Sequence, residues 1–197
     1  VGLPRGSRRL TPGLRREELA ALDPLVQQVL DGLSSTPAFV MNNRWDVVAF
    51  NRLADRLYGY SGYDGPFANN TMWRAWIDPA RRALYVDWQE RTREWVGRFR
   101  VAYASSLGDP GFEELLLALR DASPEFARLW DSQHTEVPPH SLYRYSSPRW
   151  GRVNAQATRL TLPMNPGFVM VVLLPADAAT AAIFSQDGCG PLTLGRA

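Results

Sequence analysis

Hydrophobic positions change period twice along this chain. Phe39-Val40-Met41 and Val47-Val48-Ala49-Phe50 are short apolar runs separated by Asn42-Asn43-Arg44. Asn tolerates positive φ, so the polar triplet is turn chemistry and the two runs predict a β-hairpin. Asn51 predicts the cap of a short helix with Leu53, Leu57 and Tyr58 on one side and Gly59 at its C-terminus. A lone hairpin is only marginally stable, so more strands and a cover are required.

From Thr71 to Trp130 the period is helical. Met72, Trp73 and Trp76 share a short helix. Asp78-Pro79 starts a long one expected to run to about Ser106, with Leu84, Trp88, Trp95 and Phe99 near one stripe. Gly108-Asp109-Pro110 breaks the pattern and recaps it ahead of Phe112, Leu115, Leu116 and Leu119. Ser123-Pro124 opens another helix with Phe126, Leu129 and Trp130 inward. Upstream, Asp23 and Pro24 begin a helix expected over 23–35. Beyond Pro138-Pro139 the period returns to two, predicting strands over 142–145, 152–162 and 168–174, then a short helix over 178–184. The run FVMVVLL is the most apolar and is expected at the centre of the sheet. Residues 59–71, rich in Gly, Asn and Tyr, suit either a pocket lid or a plain connection.

Two strands first and three last, with helices between, predict an α+β fold: a PAS-like antiparallel five-stranded sheet (β-β-α, helical insertion, β-β-β) covered by helices on one face. The expected divisions are residues 1–22, a basic arm; 23–36, a linker helix; 37–176, the sheet domain; and 177–197, a tail.

Composition narrows the function classes. Charged residues are 21% of 197, as in ordinary globular proteins. The net charge of +2 is too small to argue nucleic-acid binding by the whole chain. The single cysteine, Cys189, rules out an internal disulfide, and with the composition it fits a cytoplasmic protein. No apolar run approaches the roughly 20 residues of a membrane helix, so no membrane partner is expected. His134 and His140 have no metal-ligand spacing, Cys189 has no neighbouring base, and no phosphate loop is present. Neither metal nor cofactor is expected. Asp87, Glu90 and Glu94, with Arg91 and Arg98, read as a solvated salt-bridge ladder on one helix, so the chain is not expected to be an enzyme.

Two stretches carry a resemblance. RRLTPGLRREELA, within a terminus holding five arginines against two glutamates, resembles the opening of the helix-turn-helix in actinobacterial Xre-type regulators. There, Arg15 and Arg16 would be DNA-binding residues. Leu22 passes directly into Asp23-Pro24, however, without a recognition helix, so DNA is expected as a partner of a full-length helix-turn-helix and not of this chain. PAFVMNNRWDVVAFNRLADRLYG, IDPARRALYVDWQERTREWV, SPEFARLW and the closing strands are together similar to the MmyB-like ligand-binding domain that follows such a motif.

The resemblance implies a transcription regulator whose PAS-like domain senses a small lipophilic ligand such as a fatty acid. Apolar wall candidates are Phe39, Met41, Val48 and Phe50 on the hairpin, and Trp73, Trp76, Tyr85, Trp88, Trp95 and Phe99 on the helices. Val153, Ala155, Phe168 and Met170 are candidates on the last strands. For each, ordinary core packing is the alternative. Large aromatics opposite small Ala155 and Ala157 argue for room between them. Arg82 stands in the R-x-LY-x-DW run and is the candidate carboxylate anchor, with a salt bridge to Asp78 as the other reading. Asn51 and Tyr145 are secondary polar candidates. A homodimer is expected. A rival reading is a dimerisation or protein-interaction module without a small-molecule ligand. A void of several hundred Å³ would favour a ligand, and a closed aromatic core the interaction module.

Overall fold

The computed structural model describes residues 23–132 and 141–188. The expectations for Arg15, Arg16, His134, His140 and Cys189 lie outside the described residues. Capping residues set the helix starts. Asp23, Asp78, Asp109 and Ser123 each accept from backbone amides of the next turn, with proline at the first helical position. They open α1 (Pro24–Gly32), α4 (Pro79–Ala83), α6 (Pro110–Ala122) and α7 (Pro124–Asp131). Asn51 and Asn70 do the same for α2 (Arg52–Tyr58) and α3 (Thr71–Ile77). Gly59 ends α2 at a left-handed φ of 63°, which favours a residue without Cβ. The long α5 is Trp88–Ala104, and α8 is Ala178–Gly188.

Five strands form one antiparallel sheet in the order β2-β1-β5-β4-β3: β1 is Ala38–Asn42, β2 Val47–Phe50, β3 Ser141–Ser147, β4 Gly151–Thr161 and β5 Phe168–Pro175. The most apolar strand, β5, is central, between β1 and β4. The fold class expected from the sequence, α+β with a five-stranded antiparallel sheet, is the observed one.

Two expectations need correction. The helix expected from Pro79 to Ser106 is broken at residues 84–87. There Tyr85 bridges Tyr145, the Val86 amide donates to the Arg144 carbonyl and the Ser146 amide donates to the Leu84 carbonyl. Hydrogen bonding to the free edge of β3 replaces a helical turn, because an unpaired sheet edge supplies partners that the helix interior would otherwise supply. The sheet is also covered on both faces. Phe39, Met41, Val171, Leu173, Val153 and Ala155 pack under the helices α2 to α7. Val40, Val48, Met170 and Val172 pack instead against Val26 and Leu30 of α1.

Candidate ligand-binding site

The β1–β2 turn delivers the first wall. Trp45 adopts φ 68°, a strained conformation for a bulky side chain. Asp46 holds it there: its carboxylate accepts from Arg44, Asn42 and Asn70, while Asn70 also caps α3. The Trp45 ring is thereby turned under the sheet, edge-on to Phe99 with centroids 5.8 Å apart.

A cluster of tyrosines builds the opposite end. Tyr58, the last residue of α2, shares a hydroxyl hydrogen bond with Tyr145 of β3. Trp95 of α5 donates from Nε1 to the Tyr143 hydroxyl at 3.0 Å. Tyr85, released from helix by the break before α5, lies edge-on to Trp95 at 4.7 Å. Burial pushes the phenols of Tyr58 and Tyr145 well above their ordinary range and that of Tyr85 up to about 12, so all three remain protonated near neutral pH. Arg81 of α4 lies among them, 2% exposed, its guanidinium 3.5 Å from the centre of the Tyr58 ring.

Between these ends, under the sheet, lies a narrow space lined by Phe39, Met41, Trp45, Tyr58, Thr71, Arg81, Tyr85, Trp95, Tyr143, Ala157, Arg159, Val171 and Leu173. Its free volume is about 30 Å³, room for about one water. By the volume criterion set above, the core is closed. No carboxylate lines it among the described residues.

Of the residues expected to wall a pocket, Phe39, Met41, Tyr85 and Trp95 line this space. Val153, Ala155 and Tyr145 share its side of the sheet without lining it. Trp76 packs edge-on to Trp88, Trp95 and Phe126, and Phe99 contacts Trp45 and Phe112. Trp73 sits beside Phe67, Phe50 beside Tyr60, and Trp88 is half-buried with Nε1 donating to Glu125.

The remaining expectations are corrected. Phe168 and Met170, with Val48, face α1 on the other side of the sheet. Alternate residues of a strand point to opposite faces, so Val171 and Leu173 line the space instead. Arg82 is 47% exposed and pairs with Glu125 at 2.7 Å, not with Asp78. Asn51 is committed to structure: Oδ1 accepts from the Ala38 and Ala54 amides, and Nδ2 donates to the Leu33 and Thr36 carbonyls. The acidic ladder is not wholly solvated. Glu94 is 3% exposed and holds Arg91, Arg98 and the Ser141 hydroxyl, while Asp87 pairs with Arg144.

Besides Val171 and Leu173, sequence reasoning missed Trp45, Tyr58, Thr71, Arg81, Tyr143 and Arg159. A signal for Arg81 existed. It precedes Leu84 and Tyr85 by three and four positions, the spacing that shares a helix face with residues already expected inside.

A five-stranded antiparallel sheet, with helices crossing one face over an aromatic space that no carboxylate lines among the described residues, defines an α+β domain of the PAS-like type. The family model for the MmyB-like transcription regulator ligand binding domain matches residues 22–186, and the chain belongs to that family. It is therefore the ligand-binding domain of a transcription regulator. No curated protein matches the chain. Among the described residues, no helix is long and apolar enough to cross a membrane.

Proposed function

We propose that this chain senses a small lipophilic molecule, such as a fatty acid, within the space between sheet and helices, and passes binding on to an attached DNA-binding part through α1. The supporting observation is the character of that space: aromatic and aliphatic walls, small Ala157 opposite them, and no acidic lining residue among those described. Two buried polar atoms of its lining residues, Thr71 Oγ1 and Arg81 Nε, lack hydrogen-bond partners. Buried groups of this kind are costly unless something satisfies them. The free volume of about 30 Å³ is far below the several hundred Å³ of an ordinary ligand pocket. A ligand must therefore displace wall side chains, and α1, packed on the far face of the same strands, feels that displacement.

The closed core also favours the second reading, a PAS-like dimerisation or protein-interaction module. Leu25 and Val29, 59% and 54% exposed on the outer side of α1, offer it an apolar surface. Native mass spectrometry of the purified protein, followed by denaturing extraction, decides between them. A co-purifying acid or other lipid on the 22.1 kDa chain is expected. A bare mass, together with no stabilisation by added fatty acids, would discard the sensor reading in favour of the interaction module.

A further inference from the structure

The face of the sheet that holds α1 is only partly covered. There Val26 and Leu30 of α1 pack on Val40, Val48, Met170 and Val172, which belong to β1, β2 and β5. β3 and β4 place no buried residue in that cluster. Their side chains of the same parity include Leu142 and Arg144 on β3 and Arg152, Gln156 and Leu160 on β4, all exposed. The register joins this floor to the covered part. Leu160 lies beside Met170, and Leu142, Gln156 and the exposed Leu174 form one row across β3, β4 and β5.

The helix α1 adds a wall. Gln27 donates to the Phe50 carbonyl on the edge strand β2, so that flank of α1 looks away from β3 and β4. With 3.6 residues per turn, and with Val26 and Leu30 against the sheet, Leu25 and Val29 lie on the opposite flank, toward the uncovered strands. Both are exposed. Floor and wall meet in an apolar corner open to solvent, and contiguous exposed apolar surface of this kind marks interaction sites.

Charge decides what fits the corner. α1 and its cap carry Asp23 and Asp31 and no basic residue. The outward positions of β3 and β4 carry Arg144 and Arg152 and no acid. Asp87 and Asp177 border the floor, but Asp87 is engaged by Arg144, and Asp177 by Asn154 and the Thr180 amide. Asp31 and Arg152 are exposed, and neither makes an ion pair among the described residues. An acidic helix with an apolar flank and a basic, apolar floor are thus present on one chain. They cannot meet within it, because α1 is held over β1 and β2. Two copies related by a two-fold axis can make the same contact twice.

We propose that the occupant of this corner is α1 of a second copy of the chain, with Leu25 and Val29 seated against Leu160 and Leu174 and the acidic helix lying over the basic strands. This deepens the interaction-module reading by naming the face and the partner, and it holds whether or not the inner space takes a ligand.

The test is sedimentation equilibrium of the intact chain over a range of concentrations. The parent is expected to form a dimer of the 22.1 kDa chain. Val29→Glu on the wall and Leu160→Glu on the floor are each expected to raise the dimer Kd at least about 10-fold, because each buries a charge in an apolar contact. Both positions are exposed in the single chain, so circular dichroism and melting temperature are expected to stay at the parent values. Leu174→Glu serves as the floor variant if Leu160→Glu does not fold. Leu117→Glu, at an exposed position of α6 on the other side of the sheet, is the control and is expected to dimerise like the parent. Asp31→Arg and Arg152→Glu are each expected to weaken the dimer about 2- to 5-fold, the range for exposed ion pairs, and the double variant to recover it. A parent that is monomeric at every concentration overturns both this proposal and the dimerisation reading. A dimer indifferent to the wall and floor variants overturns this face and leaves dimerisation standing through another. Loss with Val29→Glu but not with either floor variant means that the two helices pack only on each other, and it overturns the seating on the strands. A double charge variant no tighter than the single ones overturns the match of acidic helix to basic floor.

Discussion

Asn51 is where the structure makes its largest claim on one uncharged side chain. It is 5% exposed, and both ends of its amide are in use. Oδ1 accepts from Ala54 at 2.9 Å, capping α2, and from Ala38 at 3.1 Å, at the start of β1. Nδ2 donates to the carbonyls of Leu33 at 2.9 Å and Thr36 at 2.8 Å, where the chain leaves α1. Asn51→Ala removes a cap worth about 1 kcal/mol. It also strips the partner from the Ala38 amide, on a fully buried residue, at about 2 kcal/mol. The Leu33 and Thr36 residues are half-buried, so water can reach them and each carbonyl costs about 0.5 kcal/mol. The expected loss is about 4 kcal/mol, or a melting temperature lower by roughly 8–16 °C for a domain of this size. Asn51→Asp separates the two halves. It keeps the acceptor and the cap but turns a carboxylate oxygen toward two carbonyls, so it too is expected to lose at least about 2 kcal/mol, with faster amide exchange in α1. Urea unfolding with fluorescence and circular dichroism measures both. A loss below about 1 kcal/mol for Asn51→Ala, or parent-like stability for Asn51→Asp, would refute the claim that this amide ties α1 to the sheet.

Two further predictions concern the end of α8. A Cβ on Gly188 would overlap the Ser34 carbonyl oxygen, whereas one on Gly32 meets nothing within 4 Å. Gly188→Ala is therefore expected to cost more than about 1 kcal/mol in urea unfolding and Gly32→Ala to be neutral or stabilising by ~0.5 kcal/mol; equal effects would contradict the packing of α8 on Ser34. The Asp187 carboxyl is held at about 2 rather than the usual 3.8 by hydrogen bonds from Arg149, with Trp150 and Arg56 adding to them. Its folded pKa is lowered, so its contribution is complete above about pH 4 and is lost as pH falls through 2. With partial solvent screening it amounts to about 1 kcal/mol. Asp187→Asn should accordingly show a shallower fall in stability from pH 5 to pH 2 than the parent, and parallel curves would remove Asp187 from the acid response.

The sheet was legible because its signals are local. Alternation in LYRY and VNAQAT, Asn-rich turn chemistry after Met41, and the cap-and-proline pairs each fix an element without reference to the rest of the chain. The observed strands extend the expected ones by at most a residue or two. Three misreadings have long-range causes. Residues 84–87 carry helical periodicity, and a sheet edge distant in sequence unwinds them. The inward face of β5 could not be read from FVMVVLL, because a strand buried on both faces shows no alternation and a choice of parity one residue off exchanges all its wall residues. Charge is the third. Arg81 and Arg82 are identical in type and adjacent; Arg82 pairs with Glu125, while among the described residues no carboxylate pairs with the Arg81 guanidinium, and this difference is decided by how α7 packs and not by spacing in either segment.

The placement of α2 links the site to the termini of the domain. Its last residue, Tyr58, carries the Arg81 guanidinium on its ring and bonds Tyr145. Its cap, Asn51, holds the end of α1. On its outer side, Arg52 and Arg56 donate to the carbonyls that close α8. Seven residues of helix span roughly 10 Å and move as one body on the scale of a side-chain displacement. On the proposed sensing role, a ligand that displaces Tyr58 removes a contact at one end of this body, while α1 and α8 are fastened to its other end and flank. Transmission then requires no long path through the core. It requires that the two positions of Tyr58 favour different settings of α2, and the ligand can supply no more bias than its difference in affinity for them. The side of the sheet that holds α1 contributes through Val40 and Met170, which pack on Val26 and Leu30. Two strands, β1 and β5, line the space with residues of one parity and seat α1 with residues of the other. A shift of α2 against β1 therefore acts on α1 both through the Asn51 amide and through the packed face.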